Sequence, residues 1–218
     1  MFKLAPLIAA LAYAFLMLQF SVWRTKKTLA AQSHPLVDGE ILALAARMAT
    51  ALEIPTIKVN VFEVEAVNGL AAPDGQIYLT QGFLARYRHG EVTAEELASV
   101  IAHELGHVAL GHTRRRMIDF TGQNAVFVML SALLNRFLPG IGIWIANLIS
   151  TALMARMSRR DEFEADAYAC AHADGQDLAA ALVKLYQDNA STLTPDPLYA
   201  RFYYSHPPAA ERLERLPA

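Results

Sequence analysis

Three residues near the middle of the chain, His103, Glu104 and His107, have the types and spacing of a zinc-dependent hydrolytic site. In an α-helix of about 3.6 residues per turn, positions four apart lie one above the other, so both imidazoles can reach one ion. Glu104 then lies beside the ion, where it can act on the attacking water. The spacing therefore predicts two zinc ligands and a general base.

The flanking sequence places these residues inside a helix. Thr93, followed three residues later by Glu96, predicts a capping box and a helix that starts near Ala94. The positions around the histidines are apolar, and burying two histidines and a glutamate there without a partner would cost several kcal/mol. A pair of hydrogen-bonded core histidines is the competing interpretation. Because a metal removes the burial cost, we predict one Zn²⁺ per chain.

A catalytic zinc takes three protein ligands and leaves one position open, and the set is commonly two histidines and one glutamate. Glu162 and Asp166 are four apart and share a helix face, whereas Glu164 is turned from Glu162 by roughly 200°. A ligating histidine normally donates its other N–H to a carboxylate or carbonyl. We therefore assign Glu162 to the metal and Asp166 to His103 or the network around it. Solvated charges at a helix start are the alternative.

His112 is a second candidate for the third ligand. The metzincin pattern that would use it needs a glycine at position 110 and a histidine at position 113, where this chain has Leu110 and Thr113. On a continuing helix His112 also points well away from His107. We predict that His112 is a surface residue or one that supports a ligand.

Three segments in this order resemble one family: HELGH at 103–107, SRRDEFEAD at 158–166 and SHPPAAERL at 205–213. They are similar to the HtpX-type zinc metallopeptidases, peptidase family M48, and residues 68–84 resemble the family's segment beside the active-site cleft. The resemblance covers most of residues 36–216 and implies that Glu162 is the third zinc ligand. It also implies a gluzincin-like zinc metalloendopeptidase that acts on proteins or peptides, and a role in protein quality control is compatible with it.

The resemblance has two limits. HtpX-like members usually have two membrane helices before the HExxH segment, where this chain has one apolar run. The farnesylated-peptide proteases of the family have many more spans. The substrate class is therefore left open.

The segment around His206 returns to the cleft in the resembled family. Two prolines stiffen the loop after His206, and Arg212 follows within two helical turns. We predict that one or both donate hydrogen bonds to the negative charge that develops on the substrate oxygen, or that His206 takes the open metal position when substrate is absent. The competing interpretation is a helix start with a surface arginine.

Residues 1–24 are predicted to be a membrane anchor, because Leu4 to Trp23 carries no charged side chain over about 20 residues, the length of a membrane-spanning helix. A cleaved signal peptide is less favoured, since three cations at 24–27 separate this run from the small residues at 29–31. The same cations outnumber the charges before the run, so the positive-inside rule predicts an inner-membrane protein with a cytoplasmic catalytic domain.

Residues 25–35 are predicted to be a tether and residues 36–218 a metallopeptidase domain. The domain is expected to be α+β, mostly helical, with a small antiparallel sheet from the strand-like segments 57–67 and 76–80. An apolar hairpin at about 122–155 is predicted to consist of two short helices joined at Pro139-Gly140. It either packs in the core or dips into a membrane.

A pattern of serine followed three residues later by an acid at Ser158 predicts that a new helix starts there. It is expected to end near Ala173, before Gly175.

Composition limits the remaining possibilities. The chain has 218 residues, of which 54% are hydrophobic, and a formal net charge of −2, so no nucleic-acid partner is implied. Its single cysteine, Cys170, cannot form an internal disulfide and fits a reducing compartment.

Two other functions compete with proteolysis. A metal-stabilised chaperone or scaffold would bind unfolded chains without cleaving them and would not need Glu104. A structural membrane protein that oligomerises through its hairpin would leave the histidines unexplained. The oligomeric state stays open.

Overall fold

The computed structural model describes residues 5–72, 74–188 and 206–216, so Ser205, the first residue of the SHPPAAERL segment, lies outside the described residues. Eight helices and one four-stranded sheet lie within these ranges, which confirms a mostly helical α+β protein. The elements in chain order are α1 (Ala5–Ala31), β1 (Ser33–Pro35), α2 (Gly39–Ala51), β2 (Val59–Phe62), β3 (Gly69–Ala71), β4 (Ile77–Thr80), α3 (Gln81–Arg88), α4 (Ala94–Ala109), α5 (His112–Phe137), α6 (Gly142–His172), α7 (Gly175–Asp188) and α8 (Ala209–Arg215).

The sheet is mixed, with strand order β1-β2-β4-β3. Strands β2 and β4 are parallel, while β1–β2 and β3–β4 are antiparallel, so the predicted antiparallel sheet is wrong. The reason is that β3 does not pair with β2. The strand that follows it in the chain, β4, lies between β2 and β3, and a hydrogen bond from Ala72 N to Gln76 O links the ends of β3 and β4. Strand β3 is therefore left at the edge of the sheet.

Within the predicted tether at residues 25–35, α1 continues to Ala31 and residues 33–35 pair with β2. Helix α1 leaves several large apolar side chains exposed, among them Phe15, Leu16 and Trp23. By length and hydropathy, none of the helices in the described ranges meets the requirement for crossing a membrane. The anchor at residues 1–24 stays a prediction.

Helix α4 lies at the centre of the core and is buried along most of its length, with Leu97, Ile101 and Ala102 fully enclosed. The predicted capping box is confirmed: the Thr93 hydroxyl accepts the Glu96 N–H at 3.1 Å, and the Glu96 carboxylate accepts the Thr93 N–H at 2.9 Å. The same carboxylate pairs with Lys184 of α7 at 2.6 Å. The cap therefore fixes both the start of α4 and its contact with α7.

Helices α5 and α6 form a long antiparallel hairpin instead of the predicted short one. Helix α6 runs without a break past Ser158, so the helix start predicted there is wrong. No glycine or proline interrupts residues 143–172, and the serine pattern alone does not end a helix. Side chains near the hairpin tip are exposed, with Phe137 at 70% and Trp144 at 74%, which excludes the buried-core alternative for this part of the hairpin.

Gly82, near the start of α3, offers a direct test of how closely the chain packs beside β4. A Cβ at this position would lie 1.9 Å from the backbone oxygen of Glu65, whereas a Cβ at Gly39 of α2 would meet nothing within 4 Å. We expect Gly82→Ala to lower the free energy of unfolding by about 1–3 kcal/mol, because backbone must move. Gly39→Ala should leave it unchanged or raise it by up to about 1 kcal/mol. Urea denaturation of both variants makes the comparison, and equal effects would contradict the packing described.

Candidate metal centre

Helices α4 and α6 bring three donor atoms together at their crossing. His103 Nε2 lies 3.2 Å from His107 Nε2. The carboxylate of Glu162 lies 3.5 Å from each of the two nitrogens, through one oxygen apiece. His103 is 6% exposed and Glu162 is 2% exposed, so the group is shielded from solvent.

The spacing of these atoms fits zinc. Ligand atoms bonded to a tetrahedral Zn²⁺ at about 2.0–2.1 Å lie about 3.3 to 3.4 Å from one another. The separations of 3.2, 3.5 and 3.5 Å are close to this value. Two imidazoles and one carboxylate are also the donor types of a common catalytic zinc site. The three side chains could therefore hold one Zn²⁺.

The surroundings of Glu162 and His107 favour the protonation states in which these side chains bind metals. Burial alone would raise the pKa of Glu162, but hydrogen bonds from His103 and His206 hold it well below its usual value, so the carboxylate is anionic. Burial lowers the pKa of His107 to about 3, which keeps its imidazole neutral. Burial also acts to lower the pKa of His103, but the hydrogen bonds to Asp166 and Glu162 outweigh it and raise the pKa to about 9. His103 must therefore lose a proton when it binds a metal.

Glu104 lies beside this group and faces strand β3. Its carboxylate accepts a hydrogen bond from the backbone of Ala71, and burial together with the negative charge of Glu162 raises its pKa against the opposing effect of His103. The strand approaches closely here, since a Cβ on Gly69 would lie 3.4 Å from Glu104 Cγ. The edge strand and the candidate general base therefore line the same cleft.

Asp166 connects the group to the end of the chain. Its carboxylate lies 2.9 Å from His103 Nδ1 and accepts two hydrogen bonds from Arg212, at 2.6 and 2.8 Å. Arg212 is 6% exposed, so the interpretation of a surface arginine is wrong. Its remaining nitrogen, Nη1, lies 3.7 Å from Glu162 Oε2. The geometry places Arg212 as the support of Asp166.

His206 also reaches the group, with Nδ1 3.2 Å from Glu162 Oε1 and a side chain that is 60% exposed. Its loop is held by Tyr186 of α7, whose hydroxyl donates to the Pro207 carbonyl oxygen at 2.6 Å. Sequence reasoning missed Tyr186, because a tyrosine on an amphipathic helix carries no signal of a contact with a loop some twenty residues away.

His112 lies beside His107, with 2.8 Å between their Nδ1 atoms, so the prediction that it points away is wrong. The assumption of one continuing helix fails: α4 ends at Ala109, and Gly111 takes a left-handed φ of 67° before α5 begins. Glu164 lies outside the group of His103, His107 and Glu162 and pairs with Arg115 at 2.6 Å. Arg116 of α5 likewise contacts Glu162 at 3.1 Å, and no local sequence pattern predicts these contacts between α5 and α6.

The site combines two histidines one helical turn apart with a glutamate from a second helix, and a second glutamate beside an edge strand is not among the ligands. This combination is typical of the class of zinc-dependent metallohydrolases. The chain matches Peptidase family M48 over residues 35–218, and it belongs to that family.

Several curated relatives are named as CAAX prenyl proteases. The chain is 31% identical over 210 residues to "CAAX prenyl protease 1 homolog" of Arabidopsis thaliana, which covers 84% of this chain and 48% of the relative. It is 28% identical over 224 residues to "CAAX prenyl protease 1" of Saccharomyces cerevisiae, with 84% and 48% covered. The human homolog is 35% identical over 143 residues, with 56% and 30% covered. The chain thus spans about half or less of the length of these relatives.

A solved structure has a similar fold. The crystal structure of S. mikatae Ste24p superposes with a TM-score of 0.72 at 25% sequence identity, covering 94% of this chain and 56% of that one. The likeness therefore extends over nearly all of the present chain.

Tyr186→Phe removes the hydroxyl that holds the His206 loop and, with it, the hydrogen bond that this hydroxyl makes with Arg212. We expect the kcat for peptide cleavage to fall about tenfold, because His206 is then less firmly positioned, while zinc content stays at the wild-type level. Tyr87→Phe is the matched control, since that hydroxyl donates to Glu40 at 2.7 Å on another part of the surface. Steady-state kinetics on one peptide substrate makes the comparison. Equal kcat values in the two variants would show that the Tyr186 contact does not position the loop for turnover.

Proposed function

We propose that this protein is a zinc-dependent endopeptidase that hydrolyses internal peptide bonds. One observation supports this most strongly: His103, His107 and Glu162 offer donor atoms that converge on one point, while the neighbouring Glu104 is not part of that ligand group and contacts strand β3. A purely structural zinc site is normally closed by four protein ligands and needs no base beside it. The arrangement is that of an open, catalytic site.

Strand β3 supplies a surface for an extended substrate. Asn68 O accepts from Thr80 N at 3.1 Å and Ala72 N donates to Gln76 O at 2.8 Å, so these residues face β4. In an antiparallel pair the alternate residues, Gly69 and Ala71, turn their backbone groups to the opposite side. A peptide can add there as another strand through main-chain hydrogen bonds, in which it replaces the bond from Gly69 N to Asn68 Oδ1 and that from the Ala71 backbone to Glu104. Its scissile bond would then lie next to Glu104.

The chemistry follows from these placements. Bound zinc supplies positive charge that polarises the scissile carbonyl and lowers the pKa of water toward about 7. Glu104 takes the proton of the attacking water and passes it to the leaving amine. In this proposal Arg212 holds Asp166, Asp166 orients His103, and His206 donates a hydrogen bond to the charge that develops on the substrate oxygen.

The proposed substrates are proteins or peptides. Because the relatives are named CAAX prenyl proteases, prenylated CAAX peptides are one class to test. Unfolded proteins, as in protein quality control, are the other. Casein and a farnesylated CAAX peptide, assayed side by side, separate the two classes.

Glu104→Gln should abolish cleavage and leave zinc bound, because it removes the base and no ligand. We expect turnover of casein or peptide to fall by a factor of about 100 to 10,000, the usual contribution of general acid–base catalysis. The matched control is Glu95→Gln, an exposed carboxylate on the same helix. Activity of the wild type should vanish with a chelator and return with added zinc.

Zinc content by elemental analysis accompanies each assay. Wild-type turnover in a zinc-loaded Glu104→Gln variant would overturn the mechanism. Zinc-loaded wild-type protein that binds unfolded casein without cleaving any substrate would instead favour the chaperone or scaffold function.

We also propose that the protein is membrane-anchored through residues 1–24, with the metallopeptidase domain on the cytoplasmic side of the inner membrane. Support comes from the uncharged run before Arg24 and the cations that follow it. Exposed apolar side chains on α1 and at the α5–α6 tip, including Phe20 and Trp144, add a surface suited to lipid. An exposed apolar area of this kind is costly in water.

This proposal predicts that the full-length protein stays in the membrane pellet after an alkaline carbonate wash. A reporter fused at Ala218 should signal on the cytoplasmic side. Leu16→Lys combined with Phe20→Lys should release the protein, because a charged side chain at the centre of a bilayer costs about 2.5–3.5 kcal/mol. Release of the wild type would overturn the anchor, and a reporter active only outside the inner membrane would overturn the orientation.

A further inference from the structure

A second group of side chains lies behind the metal centre, where His112, Asp161 and Glu164 offer atoms within 4.8 Å of one another. This group is not a cation site. Arg115 Nη1 lies 2.8 Å from Asp161 Oδ1 and 2.6 Å from Glu164 Oε2, so a guanidinium already pairs with both carboxylates and occupies the space between them. Arg160 adds a further contact to Glu164 at 2.8 Å. The group must therefore be explained by what its histidine touches.

The break between α4 and α5 brings His112 to the metal centre. The left-handed Gly111 ends the first helix and turns the chain, so the first residue of α5 faces back onto the last turn of α4. The imidazoles of His107 and His112 meet edge to face, with ring centroids 4.9 Å apart at 71°. His112 is 1% exposed, so water cannot replace either of its contacts.

The contacts permit one arrangement of protons when a metal is bound. His107 Nε2 faces His103 and Glu162, so its proton is carried on Nδ1. A separation of 2.8 Å between the Nδ1 atoms requires one donor and one acceptor, so His112 accepts at Nδ1. Its own proton then lies on Nε2, which is 3.2 Å from Glu164 Oε2. Both contacts are satisfied by a neutral His112.

We infer that His112 is a positioning residue that accepts the Nδ1–H of His107 and thereby orients this ligand toward zinc, an inference that rests on the proposed function. Glu164 fixes the tautomer of His112, and Arg115 fixes Glu164. The two histidine ligands are thus supported unequally: His103 by the anionic Asp166 and His107 by a neutral imidazole. Loss of such an outer partner lowers metal affinity by about ten- to a hundredfold.

Two polar substitutions of His112 separate its two contacts. His112→Asn keeps an acceptor oxygen near the position of Nδ1 and gives up the contact with Glu164. In His112→Gln the longer side chain places its amide near the position of Nε2. The amide can then donate a hydrogen bond to Glu164, but His107 is left without an acceptor. The experiment measures the zinc dissociation constant of the full chain by competition with a chromophoric chelator. The control is His89→Asn, at an exposed position after α3.

We expect zinc to bind about ten- to a hundredfold more weakly to the Gln variant, and within about threefold of the wild type to the Asn variant and the control. The melting temperatures of the zinc-free proteins serve as the second readout. They should be lowered to a similar extent in the Asn and Gln variants, because each loses one buried contact. A structural role alone would lower both melting temperatures and leave both zinc affinities unchanged.

The inference is overturned if the Asn and Gln variants bind zinc equally well, or if Asn binds more weakly than Gln. Failure of the proposed function is a different result, because it would appear in the wild type as absent zinc binding or absent cleavage. If either variant does not fold, the zinc affinities of Glu164→Leu and Glu164→Gln are compared instead, since Glu164 is the residue that contacts His112. The Gln side chain still accepts from His112, so only the Leu variant should lose zinc affinity.

Discussion

The burial of charge between α4, α6 and α8 is the constraint on which the site depends. His103, Glu162, Asp166 and Arg212 are all buried, and a buried charge without a partner costs several kcal/mol. Asp166 supplies most of the pairing, because its carboxylate accepts hydrogen bonds from His103 and from Nε and Nη2 of Arg212. Removing any member would leave another unpaired, so the three helices are fixed relative to one another by the same contacts that orient a ligand.

The remaining architecture serves this arrangement. Helix α8 must return to the centre of the protein to deliver Arg212, and its return carries His206 to the side of Glu162. The capping box at Thr93 fixes the start of α4, which fixes the depth of His103 three turns further on. The absence of a side chain at Gly69 lets the edge strand approach the helix, so substrate, base and metal ligands can share one cleft. Stability and the geometry of the site are therefore not separable here.

Local patterns made part of this structure predictable from the sequence. The helical repeat alone predicts that His103 lies beside His107 and that Glu162 shares a helix face with Asp166, because the residues of each pair are one turn apart. The parallel pairing of β2 with β4 arises because β4 lies between β2 and β3, a placement that no local sequence pattern predicts. The contact of His112 with His107 depends on one left-handed glycine, and the contact of Tyr186 with the His206 loop depends on the path of a distant segment. Such contacts arise from tertiary packing.

The central claim is that His103, His107 and Glu162 hold one zinc ion, and anomalous diffraction from crystals of the zinc-loaded protein tests it most directly. Data collected on either side of the zinc absorption edge should show one strong peak per chain, about 2.0–2.2 Å from Nε2 of both histidines and from a Glu162 oxygen. A peak between His112, Asp161 and Glu164, with none at the first position, would contradict the account.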